Sequence, residues 1–301
     1  MKNIIFIVGP TATGKTELSF NLSKQIKAEI VSCDSMLVYR EPKIITSKPP
    51  EKILKEIKHH FINIISVKDT YDVFQYYIEA TKVISDLYLR RRPVVVCGGT
   101  GLYMKAILDG IFKGSSRNDK LRQNLEKEAK EKGNLSIYNK LKEIDPPAAE
   151  KISPNDTKRI IRALEVYYTT GIPISKKQKE KRGLWGKYPI KIFGLTMERK
   201  ILYEKINKRT EEMFREGAVE EVKNLLEMPL SITAQKIIGI SEIKGYLEGK
   251  YSLDYARNLM AKNTRNFAKR QFTWFKRDKR IQWIDASCKD KCFNYIIRNL
   301  E

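Results

Sequence analysis

Apolar positions along the chain fall into two kinds of pattern. Short unbroken runs stand at residues 3–8 (NIIFIV, meeting a glycine loop), 29–32 (EIVS), 93–97 (PVVVC), 191–195 (KIFGL) and 281–284 (IQWI). Apolar character sustained over so few residues predicts buried strands. From Gly14 the apolar positions Leu18, Leu22 and Ile26 recur every fourth residue, and helical spacing continues over residues 72–89, 200–227 and 252–276. Strands alternating with helices predict a parallel α/β sheet. Residues 40–70, punctuated by Pro42, Pro49 and Pro50, predict an irregular connection.

The pattern changes after about residue 113. Residues 118–170 carry helical spacing with a break at Asp145-Pro146-Pro147, and residues 171–190 form a basic, glycine-containing loop with Lys176, Lys177, Lys179, Lys181, Arg182 and Lys187. The expected organisation is an α/β core over 1–113 and 191–301, interrupted by a helical, basic insertion over 114–190. No internal repeat is visible.

Composition excludes several classes. Among 301 residues 42% are apolar, enough for a core and too many for global disorder. No stretch approaches the roughly 20 apolar residues of a bilayer span, so no membrane partner is expected. The run at residues 4–8 is too short for a signal peptide. Four cysteines are too few for a disulfide scaffold, and the default compartment is the cytoplasm. Charge adds a positive indication. Lys and Arg number 58 against 36 acids, a net +22, and the excess is spread along the chain. A folded basic protein meets nucleic acid or another polyanion; a lysine-rich proteome is the bland alternative.

Gly9-Pro10-Thr11-Ala12-Thr13-Gly14-Lys15-Thr16 matches the phosphate-loop pattern G-x-x-x-x-G-K-[ST] between a strand and a helix. Its backbone N–H groups and the helix N-terminus suit phosphate oxygens. Lys15, expected to face solvent until a ligand arrives, reaches a terminal phosphate, and the Thr16 hydroxyl is a Mg²⁺ ligand. The motif does not say which compound carries the phosphates. Asp34 follows the second strand, where an open parallel sheet places ligands; it is a general base or a turn residue. Cys97-Gly98-Gly99-Thr100-Gly101 ends the third strand with no acid until Asp109, which weakens ATP hydrolysis as the chemistry.

Residues 257–280 hold nine bases, interleaved with Phe267, Phe272, Trp274 and Phe275. The bases suit RNA phosphates; at helical spacing most of the aromatics are expected in the core. His59-His60, Cys288 and Cys292 lack the companions of a zinc site.

Taken together, GPTATGKT, residues 34–39 (DSMLVY), His59-His60, residues 98–103 (GGTGLY), 155–167 (NDTKRIIRALEVY), 202–217 (LYEKINKRTEEMFREG) and 264–275 (TRNFAKRQFTWF) occur in an order that resembles the bacterial tRNA dimethylallyltransferase family, also called tRNA isopentenyltransferase. The resemblance implies a P-loop NTPase-like parallel sheet core with a mainly helical insertion domain. It implies a monomeric, cytoplasmic enzyme of tRNA processing that binds RNA. The enzyme would transfer a dimethylallyl group from dimethylallyl diphosphate to the exocyclic amine of the adenosine 3′ to the anticodon, releasing pyrophosphate. The phosphate loop would then hold the prenyl diphosphate with Mg²⁺, not ATP. Asp34 would be the general base, Thr100 would position the reacting centre and Arg209 would stabilise the departing pyrophosphate. The implied contacts to the tRNA anticodon stem-loop are Asp34, Ser35, Met36, Leu37, Thr100 and Arg122, then Thr157-Lys158-Arg159-Ile160-Ile161 and Lys236-Ile237-Ile238-Gly239-Ile240-Ser241. Four places depart from the family pattern: Leu37, ITSK at 45–48, Asn63 and Ile240.

Three other readings compete. A small-molecule kinase would use Asp34 to activate a hydroxyl, and a prenyltransferase of free adenine nucleotides would need the same site. Neither needs the dispersed charge or the basic insertion. An RNA-binding switch without chemistry would not need Asp34 and Thr100 beside the phosphate loop.

Overall fold

The structure is a computed structural model, and it describes residues 3–112, 118–180 and 182–300. Lys181 and residues 114–117 of the expected insertion lie outside the described residues.

The chain divides into two units, residues 1–108 with 184–301, and residues 109–183. In the first unit, strands β1 (Ile4–Val8), β2 (Glu29–Ser32), β3 (His59–His60) and β4 (Val94–Gly98) alternate with helices α1 (Lys15–Ile26), α2 (Glu51–Glu56), α3 (Val73–Leu89) and α4 (Gly101–Asp109). The second unit holds α5 (Asp119–Lys132), α6 (Asn134–Ile144), α7 (Pro146–Ala149), α8 (Thr157–Thr170) and α9 (Ile174–Lys177). The first unit resumes with β5 (Ile190–Thr196), α10 (Arg199–Arg215), α11 (Ala218–Leu226), α12 (Ile240–Leu247), α13 (Leu253–Phe275), β6 (Gln282–Asp285) and α14 (Lys289–Arg298).

All six strands are parallel, in the order β3-β2-β4-β1-β5-β6. Every residue of β1 is buried, because helices cover both faces and a centrally placed parallel strand has no wet side. Alternation sorts the side chains: Ile4, Phe6 and Val8 enter one apolar layer with Tyr76, Ile84 and Ile243, while Ile5 and Ile7 enter the other with Leu18, Leu22 and Ile296. Local chemistry sets the helix ends. Asp72 caps α3 by accepting from Phe74 and Gln75 N–H, with Gln75 returning a bond to the Asp72 N–H. Ser252 caps α13, and Gly171 closes α8 in the left-handed region.

Two expectations change. Residues 40–70 are not wholly irregular: α2 forms, and β3 pairs in register with Ile30 and Val31. Two histidines carry too little apolar pattern to announce a strand, and the pairing partner supplies it. The second unit ends at 183, not 190, because Leu184 and Trp185 N–H groups donate to the Ile107 and Leu108 carbonyls and return the chain to the first unit. Its own core joins Leu125, Ile137, Leu141, Ile160, Ile161 and Leu164. Among the described residues no helix is long and apolar enough to cross a membrane.

Candidate active site

Register decides where the chemistry gathers. Val8 lies opposite Gly98 and Ser32 opposite Cys97, so Gly9, Asp34 and Thr100 all leave the sheet at the carboxyl ends of neighbouring strands, where open α/β sheets bind ligands. The phosphate loop turns on positive φ at Gly9, Ala12 and Gly14, the alternation that aims backbone N–H groups at an anion. Gly9 admits no substitute: a Cβ there would lie 2.5 Å from the Leu195 carbonyl oxygen.

Lys15 does not face solvent freely. Its Nζ donates to the Pro10 carbonyl at 2.5 Å, and the Thr13 hydroxyl donates to the same oxygen at 2.9 Å. Burial lowers the Lys15 pKa to about 8, with the nearby Arg209 cation acting the same way and Asp34 opposing it. Burial likewise lowers the Arg209 pKa, and its Nη1 donates to the Thr11 hydroxyl at 3.3 Å. Two cations are thus held together in a partly desolvated place, with Asp34 acting on both and Glu212 on Arg209. That is an electrostatic cost that a diphosphate would offset.

Asp34 uses one oxygen locally, Oδ1 accepting from the Met36 N–H at 2.9 Å. Oδ2 has no hydrogen bond among the described residues, so the turn leaves one carboxylate oxygen unoccupied. Thr100 is tied to the same turn: its N–H donates to the Cys33 carbonyl at 3.1 Å, and its Oγ1 accepts from the Ser35 N–H at 3.0 Å.

Asp34, Thr100, Arg209, Thr11 and Ala12 line one cavity of about 400 Å³, walled on its apolar side by Met36, Ile45, Ile206, Met213, Ile237 and Met260. Lys236 and Ile238 also reach it. Lys15 and Thr16 do not line it, and Thr13 and Gly14 face a second cavity of about 340 Å³ beside α14. Thr16 is exposed, and its hydroxyl makes no hydrogen bond among the described residues. No group of three or more His, Cys, Asp or Glu side chains is placed to hold a metal among them either. A lone hard oxygen fits Mg²⁺ that keeps waters and takes phosphate oxygens, and not a cation caged by protein alone.

Sequence reasoning missed three residues. Gln271, 6% exposed, sits between the phosphate loop and Gly99. The Glu221 carboxylate accepts the N–H groups of Lys43, Ile44 and Ile45, fixing the loop that brings Ile45 to the cavity. Glu242 is 3% exposed, accepts from Gly239 N–H at 2.8 Å and Asn263 Nδ2 at 2.6 Å, and holds the 236–241 loop. No local pattern flags Gln271 or Glu221, and the residue three before Glu242 is Gly239, which has no side chain to complete a capping box.

The structure places the expected RNA contacts in different settings. Ile160 and Ile161 are buried in the second unit's core, and Ile237 and Ile240 in the first's, with Ile237 on the wall of the cavity. Thr157 donates to Asn134 Oδ1 at 3.0 Å, whereas Lys158 and Arg159 are exposed. Arg122 is bound to a carboxylate: its Nε and Nη2 donate to Glu165 at 2.7 and 2.8 Å. Glu165 is fully buried and also accepts from Arg162 Nη1 at 2.5 Å and Asn118 N–H at 2.9 Å. Burial alone would raise its pKa, but these bonds prevail and hold it at about 2. In α13, Phe275 is buried as expected, but Phe272 and Trp274 stand 37% and 38% exposed. His60 Nε2 lies 2.7 Å from the Glu29 carboxylate and His59 Nδ1 2.7 Å from the Ile57 carbonyl; neither faces the cavity.

The model of the IPP transferase family matches residues 37–278, a span that begins after the phosphate loop and Asp34. The tRNA dimethylallyltransferase of Halothermothrix orenii is 43% identical over 292 residues, covering 95% of this chain and 88% of that protein. The enzyme of the same name from Alkaliphilus oremlandii is 44% identical over 296 residues, covering 97% and 94%. The crystal structure of the full-length tRNA isopentenylpyrophosphate transferase of Bacillus halodurans superposes with a TM-score of 0.73 at 34% identity, covering 100% of this chain and 96% of that one. A eukaryotic dimethylallyltransferase, solved acting on tRNA, superposes with a TM-score of 0.80 at 28% identity, covering 95% and 74%.

Proposed function

The chain belongs to the IPP transferase family and is a tRNA dimethylallyltransferase, and from that premise we propose how its residues carry the reaction. The substrates are dimethylallyl diphosphate and tRNA. The acceptor is the exocyclic amine of the adenosine 3′ to the anticodon. The amine nitrogen attacks C1 of the dimethylallyl group, the C1–O bond breaks, and pyrophosphate departs with the bonding pair.

The observation that carries this reading is that Asp34, Thr100, Arg209 and the Thr11-Ala12 stretch of the phosphate loop line one cavity with an apolar wall. An adenine amine is a weak nucleophile, because its lone pair is delocalised into the ring. Asp34 accepts its proton through the oxygen that the turn leaves free. Arg209, Lys15 and the loop N–H groups stabilise charge as it develops on pyrophosphate. Thr100 holds the Ser35 N–H and with it the direction of the Asp34 turn. Thr16 would hold Mg²⁺, which when bound supplies charge neutralisation to the diphosphate. An adenine stacked in RNA cannot reach such a cavity, so the base is flipped into it. Lys236, Lys158 and Arg159, with the exposed bases of α13, meet RNA phosphates.

The test is incubation of the protein with unmodified tRNA and labelled dimethylallyl diphosphate, followed by mapping of the labelled nucleotide. Label on the adenosine 3′ to the anticodon, lost in Asp34→Asn, is the expected result. Label elsewhere in the tRNA, or undiminished transfer by Asp34→Asn, would refute the assignment.

A further inference from the structure

Gln271 joins two turns that the sheet leaves unjoined. The ladder between β1 and β4 ends at the Val8–Gly98 pair. Beyond that pair the phosphate loop and the Gly99-Thr100 turn run as separate segments. The Gln271 amide oxygen accepts the Thr11 N–H at 2.8 Å, and its amide nitrogen donates to the Gly99 carbonyl at 2.9 Å. Both ends of a buried amide are thereby satisfied by backbone from different strands. The packing leaves no slack: a Cβ on Gly99 would lie 2.2 Å from Gln271 Nε2.

The two turns carry opposite sides of the reaction. Thr11 belongs to the loop assigned to the leaving diphosphate and accepts a hydrogen bond from Arg209. The Gly99 turn carries Thr100, which holds the Asp34 turn through the Ser35 N–H. We infer that Gln271 is a positioning residue that fixes the spacing between the leaving-group cradle and the base. The inference rests on the proposed assignment of diphosphate and base above. In-line attack needs the reacting atoms held about 3–3.5 Å apart, and a misplacement of about 1 Å costs on the order of 10²-fold in rate. A brace between the two turns therefore acts on the rate of transfer and not on the affinity for either substrate.

Two substitutions test this. Gln271→Met keeps the volume and makes neither bond. Its single-turnover rate, with both substrates saturating, should fall by roughly 10–10²-fold, while the dissociation constants for dimethylallyl diphosphate and tRNA change little. Gln271→Glu gives a pH readout. Its neutral acid can accept from Thr11 and donate to Gly99 as the amide does, whereas its carboxylate cannot donate. Burial beside a diphosphate favours the acid form, so the ratio of the Glu variant's rate to wild type should climb towards one as pH falls. Three results overturn the inference: wild-type rate in the folded Met variant, a loss confined to prenyl diphosphate affinity, or a Glu-to-wild-type ratio that does not rise as pH falls. The Glu ratio decides if the Met variant does not fold. Failure of the underlying assignment shows separately, as wild-type protein that transfers no label or a Lys15→Ala variant that loses nothing.

Discussion

Lys15 in the first unit and Arg122 in the second were both singled out as anion contacts, and their surroundings are opposite. Lys15 has no ion pair among the described residues, donates only to a loop carbonyl, and is held by burial to a pKa of about 8. Arg122 shares a fully buried carboxylate with Arg162, and its pKa is raised chiefly by the Glu165 bonds. A cation left electrostatically unsatisfied in a partly closed site has a use for an arriving anion. A cation already matched to a buried carboxylate holds helices together, here α5 to α8. The same residue class thus reads as ligand-binding or structural according to whether its charge is already met.

The comparison is broken most decisively at the carboxylates. Asp34→Asn should lower single-turnover transfer by roughly 10²–10⁴-fold with little change in tRNA binding; weakened tRNA binding at an unchanged rate would make Asp34 a recognition residue. Lys15→Ala should lower turnover by roughly 10²–10³-fold, as loss of one charge-stabilising donor does. Its thermal midpoint should be unchanged or higher, because the folded pKa lies below the unfolded value. The burial penalty on the ammonium is fully present below pH 8 and fades as pH rises towards 10.5. A lowered midpoint in Lys15→Ala would make Lys15 the structural member of the pair.

Glu165→Ala should have the converse signature. Removing one partner of a buried cluster destabilises by about 3–5 kcal/mol, read as loss of helicity in the second unit on denaturant titration. The Glu165 pKa is depressed, so its contribution is present above pH 4.5 and is lost as pH falls towards 2. Acid titration of the unfolding midpoint, wild type against Glu165→Gln, checks that window.

Smaller effects sharpen the contrast. Affinity for dimethylallyl diphosphate should hold steady below pH 8 and weaken above it by at most about tenfold per pH unit as Lys15 loses its proton. In Lys15→Arg the curve should be flat, as isothermal titration across pH would show. The affinity for tRNA should fall with salt by about 0.7 log units per log unit for each phosphate contact. Lys158→Ala should reduce that slope and Arg122→Ala, in protein shown to be folded, should not; an equal reduction in the two would return Arg122 to the RNA-binding set.

The phosphate loop, Asp34 and Thr100 were legible in the sequence because their placement is local. A glycine turn and a helix start occupy eight consecutive residues directly after a strand, and the acid and the threonine each stand two residues past a strand end. The parallel α/β class followed from the same alternation of runs. Arg209 entered only through a family resemblance, since nothing in a helix of alternating charges marks one arginine. What no local pattern could supply are the contacts made across the chain. Gln271 meets partners 260 and 172 positions away, Glu221 holds a loop 176–178 positions before it, and Glu165 turns Arg122 inward from 43 positions on. Residue order determined which backbone segments present N–H groups, carboxylates and hydroxyls at strand ends. Only the tertiary structure decided which charges are already met and which remain open. That depends on burial and on partners brought together by packing, and neither is a property of sequence neighbours.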